Sequence, residues 1–110
     1  MKIVQILFLQ LLLSVTSFAQ NVDSNVDCLL LEDENSIICK YSTHRVNIDK
    51  NITFYWIDPN GVVSRQRDMV LPANHGSIYD YRYKRGRLHG KWIFKVVDGD
   101  IELKTTFIIK

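Results

Sequence analysis

The sequence of 110 residues contains only two cysteines and, after its first fifteen residues, no long apolar run. The early run, residues 3–15, spans 13 residues, whereas a membrane-spanning helix needs about 20. It follows a basic start and precedes the small-residue site Ser17-Phe18-Ala19, which is the pattern of a secretory signal peptide. An uncleaved anchor is the alternative, but the run is short for one. The sequence therefore predicts cleavage after Ala19, with a signal peptide over 1–19, a domain over 20–110 and no transmembrane segment in the secreted or periplasmic product.

The motifs on which many enzymes and metalloproteins depend are also missing. None of the three histidines lies at metal-ligand spacing from another histidine, a cysteine or a carboxylate. The sequence has no Gly-x-Ser-x-Gly nucleophile segment, no calcium-binding loop and no glycine loop for phosphate. His75 lies two residues before Ser77, and a histidine beside a serine can belong to a catalytic triad. The intervening Gly76 favours an ordinary turn at this position. We therefore expect no enzymatic activity, no metal and no cofactor.

The two cysteines flank the segment LLLEDENSII. If this segment folds about its polar centre, residues 32–35, Cys28 lies opposite Cys39. A four-residue loop is an ordinary hairpin connection, and opposed residues of an antiparallel pair lie within reach of a disulfide. A redox or metal site is less favoured, because there is no Cys-x-x-Cys spacing and no third ligand nearby. The pair is predicted to form a structural disulfide, which fits an oxidising compartment.

Short apolar alternations separated by turn residues fill the rest of the sequence, and no segment after residue 19 has a convincing helical period. Strong turn signals stand at Asp58-Pro59-Asn60-Gly61 and at Asp98-Gly99. Including the cysteine hairpin, about seven strands are predicted in the 91 residues from 20 to 110. This spacing predicts an all-β protein, an immunoglobulin-like antiparallel β-sandwich.

Four segments, FYWIDPNGVV, HGSIYDYRY, GKWIFKVVDGD and TTFIIK, lie within about residues 52–109. Together they resemble the macroglobulin-like β-sandwich found in alpha-macroglobulins and in smaller secreted bacterial proteins. The resemblance implies a β-sandwich fold. It does not imply protease trapping, because the sequence has no Cys-x-x-Gln thioester segment, no bait-like region and no sister domains.

The alternation of Trp92, Phe94 and Val96 predicts that Trp92 is a core residue. We expect it to meet Trp56 across the two sheets, where large aromatic rings can anchor a small core. Gly90 is expected to let the backbone turn closely beneath the Trp92 ring.

The segment SIYDYRY alternates tyrosines with charged residues. The prediction is that the tyrosines, Tyr79, Tyr81 and Tyr83, face the second sheet or its margin, while Asp80, Arg82 and Lys84 face solvent. Residues 61–110 carry 10 basic and 5 acidic side chains, and many of the basic ones follow this strand. The candidate anion-binding residues are Arg82, Lys84, Arg85, Arg87, His89 and Lys91.

Three functions are compatible with these features. The favoured hypothesis is a small secreted or periplasmic binding or accessory module that acts through protein–protein contacts with another envelope or extracellular protein. The alternative is binding of a polyanion (a glycan, lipid headgroup or nucleic acid, with DNA not expected) through residues 82–91. That alternative lacks an exposed aromatic side chain beside the charges, since the tyrosines are predicted to point inward. The third hypothesis is an enzyme or a protease inhibitor, for which the sequence offers no active segment beyond Arg65-Gln66-Arg67 as a candidate inhibitor loop.

Overall fold

The computed structural model describes residues 24–110. The predicted signal peptide and its cleavage after Ala19 lie outside the described residues. Seven strands follow one another along this part of the chain: β1 (Asn25–Leu31), β2 (Ser36–Ser42), β3 (Lys50–Ile57), β4 (Val63–Leu71), β5 (Ser77–Tyr83), β6 (Gly90–Asp98) and β7 (Ile101–Ile109). Within residues 24–110, no helix has the length and apolar character that crossing a membrane requires.

The strands form two antiparallel sheets, with the orders β1-β2-β5 and β4-β3-β6-β7. On one side of the sandwich β1 packs beside β7, while β4 and β5 are the edge strands on the other side. The hairpin between β3 and β4 keeps β4 on the four-stranded sheet, so β4 and β5 belong to different sheets although they are consecutive. The prediction of an all-β, immunoglobulin-like sandwich of about seven strands is confirmed.

The core lies between the sheets and follows the period of two that β-strands impose. In β3 the buried apolar residues are Ile52, Phe54 and Trp56, and in β6 they are Trp92, Phe94 and Val96. From the three-stranded sheet, β2 contributes a further alternating set, Ile37, Cys39 and Tyr41. The prediction that Trp92 is a core residue is therefore correct.

Trp56 and Trp92 do not meet across the sheets, and this expectation was wrong. They lie on β3 and β6, which are neighbours in the same sheet, and Trp56 is paired with Phe94. The ring of Trp92 stacks instead on that of Phe107, with centroids 6.0 Å apart and planes at 11°. The large rings share one inner face because their strands pair directly.

The backbone at Gly90 lies close to Pro59 and not, as expected, to the Trp92 ring. Its φ angle is +129°, and a Cβ atom added there would lie 3.0 Å from Cγ of Pro59. The close approach is therefore to the turn after β3 and not to the Trp92 ring.

The hairpin of β1 and β2 has the predicted register, with Cys28 opposite Cys39, and the two cysteines form a disulfide. The loop is a short 3-10 turn, Glu32–Glu34, that ends at Asn35 in the left-handed conformation with φ of 53°. Asparagine tolerates this conformation better than most residues. The predicted disulfide is confirmed, and Cys39 is fully buried in the core.

Two buried aspartates connect the sheets. Asp80 of β5 accepts a hydrogen bond of 3.0 Å from Nε1 of Trp56, which lies on the opposite sheet. Asp98 at the end of β6 accepts a bond of 2.7 Å from the hydroxyl of Tyr41, again across the sandwich. Asp80 was predicted to face solvent and Asp98 to belong only to a turn. Both are buried, and the hydrogen bond from an aromatic donor of the facing sheet lowers the cost of burying each carboxylate.

Candidate anion-binding cleft

The side chains of β5 have the orientation opposite to the predicted one. Tyr79, Tyr81 and Tyr83 are 61%, 53% and 61% exposed, whereas Asp80 and Arg82 are only 3% and 9% exposed. The inner positions are polar because Trp56 supplies partners for both. Its Nε1 donates to Asp80, and its ring lies 5.4 Å from Cζ of Arg82, within the range of a cation–π contact. The alternation was predicted correctly and the face was not.

This orientation places the tyrosines beside a cleft of about 550 Å³ between β4 and β5. Arginines reach the cleft from both edge strands and from the turn after β5. The lining residues are Arg65, Arg67, Met69, Tyr79, Asp80, Tyr81, Arg82, Tyr83 and Arg87.

The cleft carries a strong positive charge. Four arginines and one aspartate line it, which gives a formal charge of +3. The carboxylate of Asp80 already forms ion pairs with two of these arginines: Nη1 of Arg67 lies 2.8 Å from Oδ1, and Nη1 of Arg65 lies 3.8 Å from Oδ2. Nε of Arg87 donates 3.2 Å to the carbonyl oxygen of Tyr83 and has no part in these ion pairs. One carboxylate therefore leaves most of the positive charge uncompensated.

Arg82 is the most buried of these arginines. Its Nη1 donates 3.2 Å to Oγ of Ser64, and its buried Nε has no hydrogen-bond partner among the described residues. Within residues 24–110 it forms no ion pair shorter than 4.0 Å. Desolvation, followed by the positive charges of Arg87 and Arg65, lowers the pKa of Arg82 to about 10, while Asp80 opposes this change. A buried cation without a paired anion is costly.

The basic residues predicted from the sequence do not form one patch. Arg82 and Arg87 enter the cleft. Lys84 forms an ion pair with Glu32 in the β1–β2 loop. The other three are exposed elsewhere: Arg85 beside Asn35, His89 in the loop before β6, and Lys91 opposite Ile108 on the four-stranded sheet.

Two arginines of the cleft were not predicted as site residues. Arg65 and Arg67 were considered only as part of an inhibitor loop, but they lie within β4. Their spacing of two, continued by Met69, is the signal that could have placed them on one face of a strand. That this face adjoins β5 depends on how the two sheets pack, which local pattern does not show.

No protein-family model matches the chain, and a search of curated proteins finds no match either. Within residues 24–110, no group of three or more histidine, cysteine, aspartate or glutamate side chains is placed to hold a metal ion. The cleft is the most distinctive chemical feature of the described part of the chain.

Proposed function

We propose that this chain is a secreted or periplasmic binding module that captures an anionic ligand in the cleft between β4 and β5, without catalysing a reaction. The observation that carries the proposal is the orientation of β5, which sets three exposed tyrosines beside four arginines. An exposed aromatic beside the charges is the feature that the predicted orientation lacked. Its presence favours anion binding over the hypothesis of a purely protein–protein module.

The chemistry of the cleft fits this function. The guanidinium group presents several N–H donors in a rigid plane that matches carboxylate, sulfate and phosphate groups. Tyrosine offers a ring for apolar contact and a hydroxyl for hydrogen bonds, at little cost in side-chain entropy. Secretion is supported by the predicted signal peptide and by the Cys28–Cys39 disulfide.

Contact with a protein partner is a second candidate function. Leu29 of β1 and Tyr81 of β5 are exposed and lie in one cross-strand row with Ile38 of β2. The outer face of the three-stranded sheet therefore has an apolar strip that reaches the cleft. A macroglobulin-like relationship remains a proposal as well, and neither the cleft nor the strip depends on it.

Binding to heparin tests the main proposal, with two variants that each remove two positive charges. Arg65→Ser/Arg87→Ser removes charges from the cleft and keeps Arg67 on Asp80, while Arg85→Ser/Lys91→Ser removes them outside the cleft. We expect wild type to bind at low salt and the cleft variant to lose affinity by about tenfold or more, since each lost charge-assisted bond is worth over 1 kcal/mol. The control should stay within about threefold of wild type, allowing for its weaker long-range attraction.

Calorimetric titration at two salt concentrations measures these affinities. Equal losses in the two variants would show that only overall charge matters, and a larger loss in the control would assign binding to the exposed turn. Either result would refute the proposed cleft, and so would the failure of wild type to bind heparin or any small sulfated, phosphorylated or carboxylated sugar at low salt.

A further inference from the structure

Arg82 differs from the other three arginines in what surrounds its charge. Arg65 and Arg67 lie near the Asp80 carboxylate, and Arg87 donates to a backbone carbonyl at the more exposed margin. Arg82 is nine-tenths buried, lines the cleft, and has neither an ion pair nor a partner for its Nε among residues 24–110. Buried charges are usually paired. An anion bound in the cleft would therefore offset the cost of burying the Arg82 charge.

The arginines also reach one cleft from three directions: from β4, from β5 and from the turn that follows β5. Two of them, Arg65 and Arg67, lie within 4.0 Å of the Asp80 carboxylate. The basic residues that could extend the cluster into a track are directed elsewhere, with Lys84 on Glu32 and Lys91 on the other sheet. A long polyanion held by many charges would need such a track.

The tyrosines do not provide a stacking platform for nucleic-acid bases. The rings of Tyr81 and Tyr83 have centroids 6.2 Å apart and lie almost perpendicular, at 88°. Successive bases of a single strand stack on aromatic faces that are open to them in turn. Rings set edge to face are better suited to contact the uncharged remainder of a smaller ligand.

We infer that the cleft holds one oxyanion group of its ligand (a carboxylate, sulfate or phosphate ester) against Arg82. Arg65 and Arg87 supply further N–H donors to the same group, and the tyrosines contact the rest of the ligand. This inference rests on the proposed anion binding and narrows it to a single anionic group. Asp80 limits the site to one such group, because it keeps Arg67 occupied and repels a second anion. Arg82 is then a binding residue whose burial weakens the empty protein and is offset when the ligand is present.

Three sugars that share one ring test the inference: glucuronate, glucose 6-sulfate and glucose 6-phosphate, with glucose as the uncharged control. Titration calorimetry at constant ionic strength should show 1:1 binding of at least one charged sugar and none of glucose. Its affinity should fall only weakly as the salt concentration rises, because a small sugar with one anionic group has no condensed counterions to release and is affected by screening alone. The sugar that binds most tightly identifies the source of the oxyanion.

Arg82→Met keeps an unbranched side chain as far as the position of Nε and removes the charged guanidinium group. We expect this variant to lose affinity for the bound sugar by about tenfold or more, while the melting temperature without ligand stays the same or rises. At the same concentration the ligand should raise the melting temperature of wild type by more than that of the variant. Arg85→Ser, which removes a charge outside the cleft, should behave as wild type in both measurements. If the methionine variant does not fold, Arg82→Lys keeps the charge without the planar donors and should show the same loss of sugar binding.

The possible outcomes separate this inference from the proposed function. Tight heparin binding with a steep salt slope, together with no binding of any charged sugar, would overturn the single-oxyanion site and leave anion binding in place. If wild type binds neither heparin nor any charged sugar, the single-oxyanion site and the proposed anion binding are both wrong. Sugar binding that survives Arg82→Met, or Arg82→Lys if only that variant folds, would overturn the role of Arg82.

Discussion

Asp80 is the residue on which both the core and the cleft depend. Its carboxylate accepts from Trp56 in the core, from Arg67 in the cleft and from the backbone N–H of Tyr81. It is also the sole acidic residue among the cleft-lining side chains of the described chain. A change at this residue therefore affects the stability of the sandwich and the charge of the site together.

Asp80→Asn should destabilise the protein by about 3 kcal/mol, because breaking a buried ion pair leaves its cations without their counter-charge. Removing one partner of a buried ion pair usually costs about 3–5 kcal/mol. The lower value is expected here because the Arg67 side chain is 43% exposed and keeps part of its hydration. Urea unfolding at pH 7 measures the change. Asp68→Asn is the matched control: Asp68 is exposed on β4, where it accepts from Thr53, and its loss should cost less than about 1 kcal/mol. Equal costs for the two variants would mean that Asp80 is not a buried link.

Trp92→Ala should cost about 3–5 kcal/mol, the range for removing a large aromatic from a core. Trp92 is buried, stacks on Phe107 and donates from Nε1 to the carbonyl oxygen of Leu88 at 2.8 Å. Trp92→Phe, which keeps a ring on Phe107, should lose less. Denaturant unfolding of the two variants checks this order, and an alanine variant as stable as wild type would contradict the packing of β6.

At the scale of the strands, the sequence predicts which face of β3 and of β6 turns toward the core. For β5 it predicts the alternation but not the inward face. In β6, Trp92, Phe94 and Val96 are much more apolar as a set than the residues between them, so hydrophobicity decides the face. In β5 the choice was between three tyrosines and a set containing Asp80 and Arg82. Tyrosine is stable on either face, and the partner that allows the charged set to be buried, Trp56, is 24 residues away from Asp80 in the chain.

The link from Tyr41 of β2 through Asp98 of β6 to Lys50 of β3 predicts a pH dependence. Burial, and next the hydrogen bond to Asp98, raise the pKa of Tyr41 above its usual value. The bond to Asp98 raises the pKa of Lys50 as well. Groups with a raised pKa stabilise the fold fully below the pKa of the unfolded chain, about 10 for both, and this contribution is lost as the pH rises through the folded value.

Tyr41→Phe should therefore cost about 1–2 kcal/mol at pH 7, the worth of a hydrogen bond to a carboxylate, and less above pH 10. Denaturant unfolding of wild type and variant at pH 7, 9 and 11 measures the difference between them. Arg82 acts in the opposite direction, because its pKa is lowered to about 10 and its destabilising charge is lost above that pH. Both proteins contain Arg82, so its effect cancels in the difference. A difference that stays constant from pH 7 to pH 11 would contradict the link.

At the scale of the whole molecule, the cleft exists because the sandwich is closed on one side and open on the other. β1 packs beside β7, whereas β4 and β5 are separated edges between which long arginine side chains lie. Turn residues and apolar alternation predict the number of strands and the β1–β2 hairpin, because these depend on neighbours in the sequence. The position of β4 against β5 depends on how two sheets pack, and so Arg65 and Arg67 could not be assigned to a site in advance.

The Cys28–Cys39 disulfide stabilises the whole molecule, because it restricts the unfolded chain. It joins residues 11 apart in sequence, and closing a loop of about a dozen residues stabilises by roughly 3 kcal/mol through the entropy of the unfolded chain. For a domain of this size each kcal/mol shifts the melting temperature by about 4–8 °C. Cys28→Ala/Cys39→Ala should therefore lower the melting temperature by about 12–24 °C.

The same double variant separates stability from binding. Cys39 lies opposite Asp80 in the pairing of β2 with β5, so the disulfide is next to the cleft. If it acts mainly on the unfolded chain, heparin affinity at 20 °C should remain within about threefold of wild type, because the native cleft is unchanged. Calorimetric titration and a thermal melt of the same sample measure both quantities. A melting temperature within two degrees of wild type would contradict the stabilising role, and a large loss of affinity in a folded variant would show that the disulfide positions Asp80 directly.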